Sequence, residues 1–404
     1  MKVLVWILLG LIGCIIVLSL LSLLIFGWYD KAVNNPEPSN KHITFVGNDK
    51  KLYDNCTSSQ NADGSIIIAS VLSRYRTPLN QISLIKLSPI GKFMWEKKIS
   101  FARFTFWDLI PGILRGGKGR QDLNLLGINF VDGKYYLLLN RFNLKVNEPY
   151  ILTFDAKGKL SNTTKIKLEM EKTAPAKSIM QKNFAYLGYQ DLPSKLLCLA
   201  KLDIKTGNVI NNSMLFYKQD SLSIYTIAAD QADTTVSMTA YDGKNGCSYY
   251  MYTKSAELQE YFRTKPSSQF TVLKYIGARL YGVVKDDSLL QIVDLTSLSK
   301  PLIVVSDTPP DKNFRAKDLQ LINGNFYVTI DVINPKAKEY GVDVIVRRYT
   351  PNREKPREYL IRGRGSETSF RLFATADKQL IVLGNSTSTK LERSMKVFAS
   401  KFPL

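Results

Sequence analysis

The sequence has almost no histidine, few cysteines and a shortage of acidic charge. Among 404 residues there is one histidine, His42. Ser-His-Asp and Cys-His mechanisms need an imidazole beside the nucleophile, and multi-histidine metal sites need several. Histidine-dependent hydrolysis and zinc or non-haem iron chemistry are therefore not expected, and His42 reads as an exposed residue leading into a strand. The four cysteines are Cys14, Cys56, Cys198 and Cys247. None stands in a C-x-x-C spacing, so neither a zinc knuckle nor a thioredoxin-like site is supported. With Cys14 set aside in an apolar run, three remain, and buried thiols are their default state. No metal, cofactor or catalytic constellation is expected from these residues.

Asp and Glu number 35 against 55 Lys and Arg, a formal net charge of +20. Such an excess suits anionic partners: lipid headgroups, acidic polysaccharide or nucleic acid. It serves equally to keep an exported domain soluble. Nucleic acid is the least expected of the three. Binding it calls for aromatics interleaved with positive groups on one face, and near the C-terminal basic cluster only Tyr349 and Tyr359 offer that.

Charge is missing altogether from Val3 to Tyr29, VLVWILLGLIGCIIVLSLLSLLIFGWY. At ~1.5 Å per residue the run would reach about 40 Å as a helix, more than the ~30 Å hydrocarbon core of a bilayer. Trp6 stands near one end and Trp28 and Tyr29 at the other, where amphipathic rings favour the headgroup level. Residues 1–29 are thus expected to form a transmembrane signal anchor, residues 30–42 a linker, and residues 43–404 a single domain. Leu11-Ile12-Gly13-Cys14 resembles a lipoprotein box, which leaves a lipidated Cys14 as the alternative. Lys2 and the amino terminus face Lys31 and Lys41 across the run, a nearly balanced pair of flanks. A short tail before a long apolar run reads as N-terminus inside and domain exported, with the reverse insertion as the competing orientation. The expected place is a bacterial inner membrane, single-pass, with a periplasmic or extracellular domain.

Long segments of helical periodicity are missing past the linker. In their place stand short runs of Val, Ile, Leu, Tyr and Phe with period-two alternation, broken by Asp-Gly, Asn-Gly and Lys-Gly turns, the pattern of an all-β domain. A turn, a strand, a polar loop and a second strand recur seven times. Taking turn positions 63, 132, 182, 233, 277, 323 and 377, the intervals are 69, 50, 51, 44, 46 and 54 residues. A period of ~40–50 residues with room for four short strands is that of a β-propeller. Seven blades are expected, with six or eight as alternatives because the fourth and fifth units are degenerate. The long first interval contains an insertion at 101–121. Ile43 to Gly47 is placed to supply the outer strand of the last blade, which would close the ring and remove an open edge.

The segment Ile82-Ser83-Leu84-Ile85-Lys86-Leu87-Ser88-Pro89-Ile90-Gly91-Lys92-Phe93-Met94-Trp95 resembles the outer hairpin of bacterial PQQ-like propeller repeats. Leu199 to Ile210, LAKLDIKTGNVI, resembles it too. The resemblance implies a fold in which Asp and Gly shape the turn and the residue after it packs between blades; it implies no quinone cofactor. The first unit keeps the tryptophan expected after the turn, whereas the third has Ile210 there.

Two stretches are candidate contact surfaces. Phe101 to Gln121, FARFTFWDLIPGILRGGKGRQ, joins an aromatic half containing Trp107 to a basic, glycine-rich half with Arg115, Lys118 and Arg120. Cations on a flexible glycine backbone can meet phosphate or carboxylate groups. The stretch lacks G-x-x-x-x-G-K-[ST], so a nucleotide P-loop is not supported. Its bland alternative is a solvated loop capping the core. The second stretch holds Arg347, Arg348, Arg353, Arg357, Arg362 and Arg364 around Pro351 and Pro356, and an ordinary solvated hairpin competes with an anion-binding rim. The expected function is a membrane-anchored binding or scaffold module for a protein or an anionic envelope partner. The rival is a carboxylate-only glycan hydrolase or lyase, which needs no histidine. Several carboxylates converging on the channel mouth would favour the rival; a channel lined by lysine would oppose it.

Overall fold

Asp132 and Gly133 both adopt positive φ, 49° and 76°, as do Asn323 and Gly324 at 50° and 74°. Two such residues in succession make the tight turn whose twist matches that of paired strands, so Asp-Gly and Asn-Gly close hairpins. In the computed structural model of the chain, these turns and their relatives organise the whole domain. The structure describes Val17 and residues 43–46, 52–74, 77–100, 122–142, 147–168, 177–191, 196–216, 222–232, 235–242, 246–253, 258–264, 268–297, 301–309, 311, 313–334, 341–351, 355–362, 366–387 and 396–404.

The described residues form seven four-stranded antiparallel sheets. After β1 (Ile43–Val46), the first sheet holds β2 (Leu52–Gln60), β3 (Ile66–Arg74), β4 (Thr77–Leu87) and β5 (Phe93–Ser100). The second holds β6 (Asp122–Val131), β7 (Lys134–Phe142), β8 (Asn147–Asp155) and β9 (Leu160–Lys165). The third holds β10 (Lys177–Met180), β11 (Phe184–Asp191), β12 (Leu196–Asp203) and β13 (Val209–Phe216). The fourth holds β14 (Leu222–Ala229), β15 (Thr235–Asp242), β16 (Gly246–Thr253) and β17 (Leu258–Arg263). The fifth holds β18 (Ser268–Ile276), β19 (Arg279–Asp286), β20 (Leu289–Asp294) and β21 (Leu302–Asp307). The sixth holds β22 (Phe314–Ile322), β23 (Asn325–Asn334), β24 (Gly341–Tyr349) and β25 (Arg357–Ile361). The seventh holds β26 (Glu367–Ala374), β27 (Gln379–Ser386) and β28 (Lys396–Pro403), and takes β1 as its fourth strand.

The expected all-β propeller is the fold observed. The first strands of successive sheets lie side by side, and β26 comes back to β2. Seven apolar clusters sit one at each junction between neighbouring sheets. Ile66 and Ile68 of the first sheet, for example, pack with Phe373 and Ile381 of the seventh. One sheet cannot bury both faces alone, so stacking around the ring supplies the core. Closure uses the strand expected for it: β1 pairs antiparallel with β28, from Ile43 opposite Ser400 to Val46 opposite Val397.

Outer turns knit neighbours together. Gly158 (φ 80°), in the β8–β9 turn, lies so close to Trp95 of β5 that an added Cβ would stand 2.9 Å from indole Cη2. Gly91 meets Ile381 of the seventh sheet and Gly207 meets Thr164 of the second in the same manner. Trp95 therefore takes the inter-blade position expected for it. Ile210, at the matching place in the third unit, is instead 51% exposed.

The apolar run from Val3 to Tyr29 lies, apart from Val17, outside the described residues, as does the insertion at 101–121. Among the described residues no helix is long and apolar enough to cross a membrane.

Candidate functional site

The first strand of each sheet borders a central channel of about 640 Å³. Six of these seven strands carry an irregularity at the same place, leaving one residue out of register: Asn55, Leu126, Tyr225, Thr271, Lys317 and Phe370. A bulge bends its strand and re-aims the side chains around it, which is why bulges gather beside functional sites. Glutamines fasten the inner strands laterally. Gln320 Nε2 donates to Leu372 O at 2.9 Å, Gln181 Nε2 to Ala229 O at 3.0 Å and Gln60 Nε2 to Ala374 O at 2.9 Å. The channel wall is thus held by side-chain-to-backbone links as well as by apolar packing.

The charges on that wall are unbalanced. Among the described lining residues, the charged side chains comprise Lys177, Lys274, Arg315, Lys317 and Arg371 against one carboxylate, Asp318, beside the phenols of Tyr225 and Tyr275 and the thiol of Cys56. Asp318 is fully engaged. Its Oδ1 accepts from Lys274 Nζ at 2.8 Å and Leu319 N at 2.9 Å, and its Oδ2 accepts from Leu372 N at 2.9 Å. Lys317 Nζ is 3.1 Å from Oδ2 of buried Asp331. The other oxygen of Asp331 accepts from Ser369 N and Oγ at 3.0 and 2.9 Å.

Electrostatics follow from this enclosure. Burial pushes Lys274 below the ordinary lysine range; the pull of Asp318 opposes the shift without reversing it, and Arg371 adds to it. Lys177 touches channel solvent yet is hemmed in by the ring, and it is also pushed down, first by burial and then by Arg315 and Lys317. Burial pushes the Asp331 carboxyl up, against the attraction of Lys317. Arg315 lies over the ring of Tyr225, with Cζ 5.6 Å from the centroid. A guanidinium over an aromatic face keeps its donors pointing outward.

Those basic residues expected from sequence that the structure describes lie away from the channel. Trp107, Arg115, Lys118, Arg120, Arg353 and Arg364 lie outside the described residues. Arg347, Arg348, Arg357 and Arg362 sit on or just after β24 and β25, the outer half of the sixth sheet. Arg347 is buried, with Nε donating to Glu358 at 3.0 Å and Nη1 held by Asp307 and the Thr308 carbonyl. Asp307 also accepts from Tyr349, whose hydroxyl is pushed far up by burial and by that carboxylate. Arg348 lies over Tyr327, Arg357 over Tyr359, and Arg362 pairs with Asp343 at 2.7 Å. These four side chains brace the outer sheet and do not converge on the channel.

Sequence reasoning missed the channel set because its members are spread over four strands from position 177 to position 371. The available signal was positional: each stands in the strand that opens a repeat, just before the turn that marked the repeat. Among the described residues no group of three or more His, Cys, Asp and Glu side chains could hold a metal ion.

No protein-family model matches the sequence, and no curated protein matches it. In three dimensions the chain is similar to a prolyl endopeptidase, one of two whose inter-domain dynamics were studied for their role in catalysis and specificity. The TM-score is 0.50 at 10% sequence identity, over 87% of this chain and 51% of that one. This chain thus spans about half the length of its structural neighbour. At such identity the likeness is one of fold.

Proposed function

We propose that this chain is a membrane-anchored β-propeller acting as a binding or scaffold module for a protein or anionic envelope partner. The observation that carries the reading is the channel wall, with five cations against one carboxylate that is already engaged. A confined site lined by one sign of charge with low-dielectric walls concentrates the opposite charge. The uncharged run from Val3 to Tyr29 supports the anchor, with the domain exported beside a bacterial inner membrane. Trp95 against the Gly158 turn supports kinship with PQQ-like repeats, without a quinone. The outer arginines and the 101–121 insertion remain a second contact surface within this reading.

The rival carboxylate enzyme needs two acids flanking one bond. Asp318 has no carboxylate companion among the described lining residues, so the channel favours binding over that chemistry.

The test is binding of the full-length protein in detergent to dextran sulfate and to neutral dextran. Dextran sulfate should bind and neutral dextran should not, with affinity falling as salt rises. Replacing Lys177, Arg315 and Arg371 together by glutamine should abolish the preference. An unchanged preference in that variant would remove the channel from the account. Protease protection in sealed membrane vesicles checks the anchor: in inverted vesicles an exported domain is shielded, and digestion there would reverse the orientation.

A further inference from the structure

The charges in the channel can be accounted for one by one. Lys274 is matched by Asp318 and Lys317 by Asp331. Among the described residues, Lys177, Arg315 and Arg371 have no carboxylate at ion-pair distance, which leaves three positive charges uncompensated on the wall. They come from three sheets: Lys177 from the third, Arg315 from the sixth and Arg371 from the seventh. The third and sixth sheets are not neighbours, being separated by the fourth and fifth. Arg315 nevertheless reaches the ring of Tyr225 on the fourth sheet. Its guanidinium therefore extends into the lumen toward the third sheet, where its charge acts on Lys177, and Arg371 lines the same channel.

We propose that Lys177, Arg315 and Arg371 form a seat for a compact dianion, a phosphate monoester or diphosphate group, that enters the channel. This rests on the channel being the binding site. A planar carboxylate has one charge and directs its oxygens to one side, so it can satisfy one of these donors well. A phosphoryl group carries about −1.5 to −2 at neutral pH and presents three strong acceptors in different directions. Guanidinium forks match those oxygens in bidentate pairs, and a lysine supplies a point charge beside them. The ring of inter-blade links keeps the three cations apart before the ligand arrives, so the anion replaces repulsion by attraction without rebuilding the wall.

The test uses full-length protein in detergent at pH 8 and constant ionic strength, titrated calorimetrically with methyl phosphate, methyl sulfate, pyrophosphate and acetate. Methyl phosphate and methyl sulfate share a shape and differ in charge. Methyl phosphate should bind at least tenfold more tightly than methyl sulfate, pyrophosphate more tightly again, and acetate most weakly. Lys177→Gln and Arg315→Gln should each weaken methyl phosphate at least tenfold while leaving melting temperature equal or higher; Lys157→Gln, on an exposed outer turn, should change nothing. Equal affinity for the two methyl esters, or full affinity in both channel variants, would overturn the seat. If dextran sulfate binds through the channel but the phosphates neither bind nor compete, the phosphate class fails alone. If none of these anions binds, the channel reading fails with it. Phosphatidic acid vesicles that displace methyl phosphate identify a lipid headgroup as the source; vesicles that do not identify a soluble or polymer-borne phosphate. Both of those outcomes support the seat.

Discussion

Lys274 Nζ lies 2.8 Å from Asp318 Oδ1, and this pair ties the fifth sheet to the sixth at the channel wall. Asp318 retains 2% of its side-chain exposure, and its second oxygen reaches on to the Leu372 amide of the seventh sheet. One carboxylate thus bridges three blades at the channel wall.

Replacing Asp318 by alanine should leave a partly buried ammonium and two backbone amides without their acceptor. The cost of breaking such a pair is about 3–5 kcal/mol. Chemical denaturation should show that loss, and Asp318→Ala combined with Lys274→Met should recover part of it. A loss below about 1 kcal/mol would mean that the pair is peripheral to the ring's stability.

Ligand-free stability and anion affinity should respond to pH in opposite directions. Burial holds the folded-state pKa values of Lys177 and Lys274 below the ordinary lysine value of about 10.4. The native state therefore sheds these protons before the unfolded chain does, so stability rises as pH climbs through the folded pKa values toward that ordinary value. Over the same window the channel loses positive charge, and methyl phosphate affinity should fall. Thermal melts and titrations between pH 7 and 10 check both trends, and Lys177→Gln should flatten each.

Gly158→Ala places a Cβ against Trp95 and in a left-handed conformation that glycine alone adopts freely. The expected loss is roughly 2–3 kcal/mol. Trp95 fluorescence should shift with it as the indole is displaced from the turn, and a silent substitution would show that the outer turns do not couple the blades.

Val46 is 5% exposed within the cluster shared by the first and seventh sheets. Val46→Asp buries an unpaired charge in the closing strand and should cost roughly 3 kcal/mol. Hydrogen exchange should accelerate first in β28, the partner that β1 protects. Uniform acceleration across all blades would instead indicate that closure and blade packing are one cooperative event.

The architecture was largely legible from sequence, for a physical reason. The runs read from the pattern were the two middle strands of each sheet, such as β19 with β20 and β27 with β28. These are buried on both faces, so Val, Ile and Leu dominate and the turn that leads into them stands out. The closing strand was legible because a ring cannot leave an edge unpaired. Inner and outer strands were harder to read. Inner strands mix lumen-facing polar residues with core residues, and six of the seven are broken by bulges, so Lys177, Arg315 and Arg371 resemble ordinary surface charges until the ring closes. The arginines of the sixth sheet misled in the opposite way. Their spacing is dense in sequence, yet Arg347 turns inward to Asp307 and Glu358.

The most direct test is to locate a bound dianion. Crystals of the protein soaked in tungstate, a tetrahedral dianion with a strong anomalous signal, should show a peak inside the channel within reach of Arg315 and Lys177. That peak should vanish in Arg315→Gln. Anomalous peaks confined to the outer arginines or to lattice contacts, with an empty channel, would contradict the account.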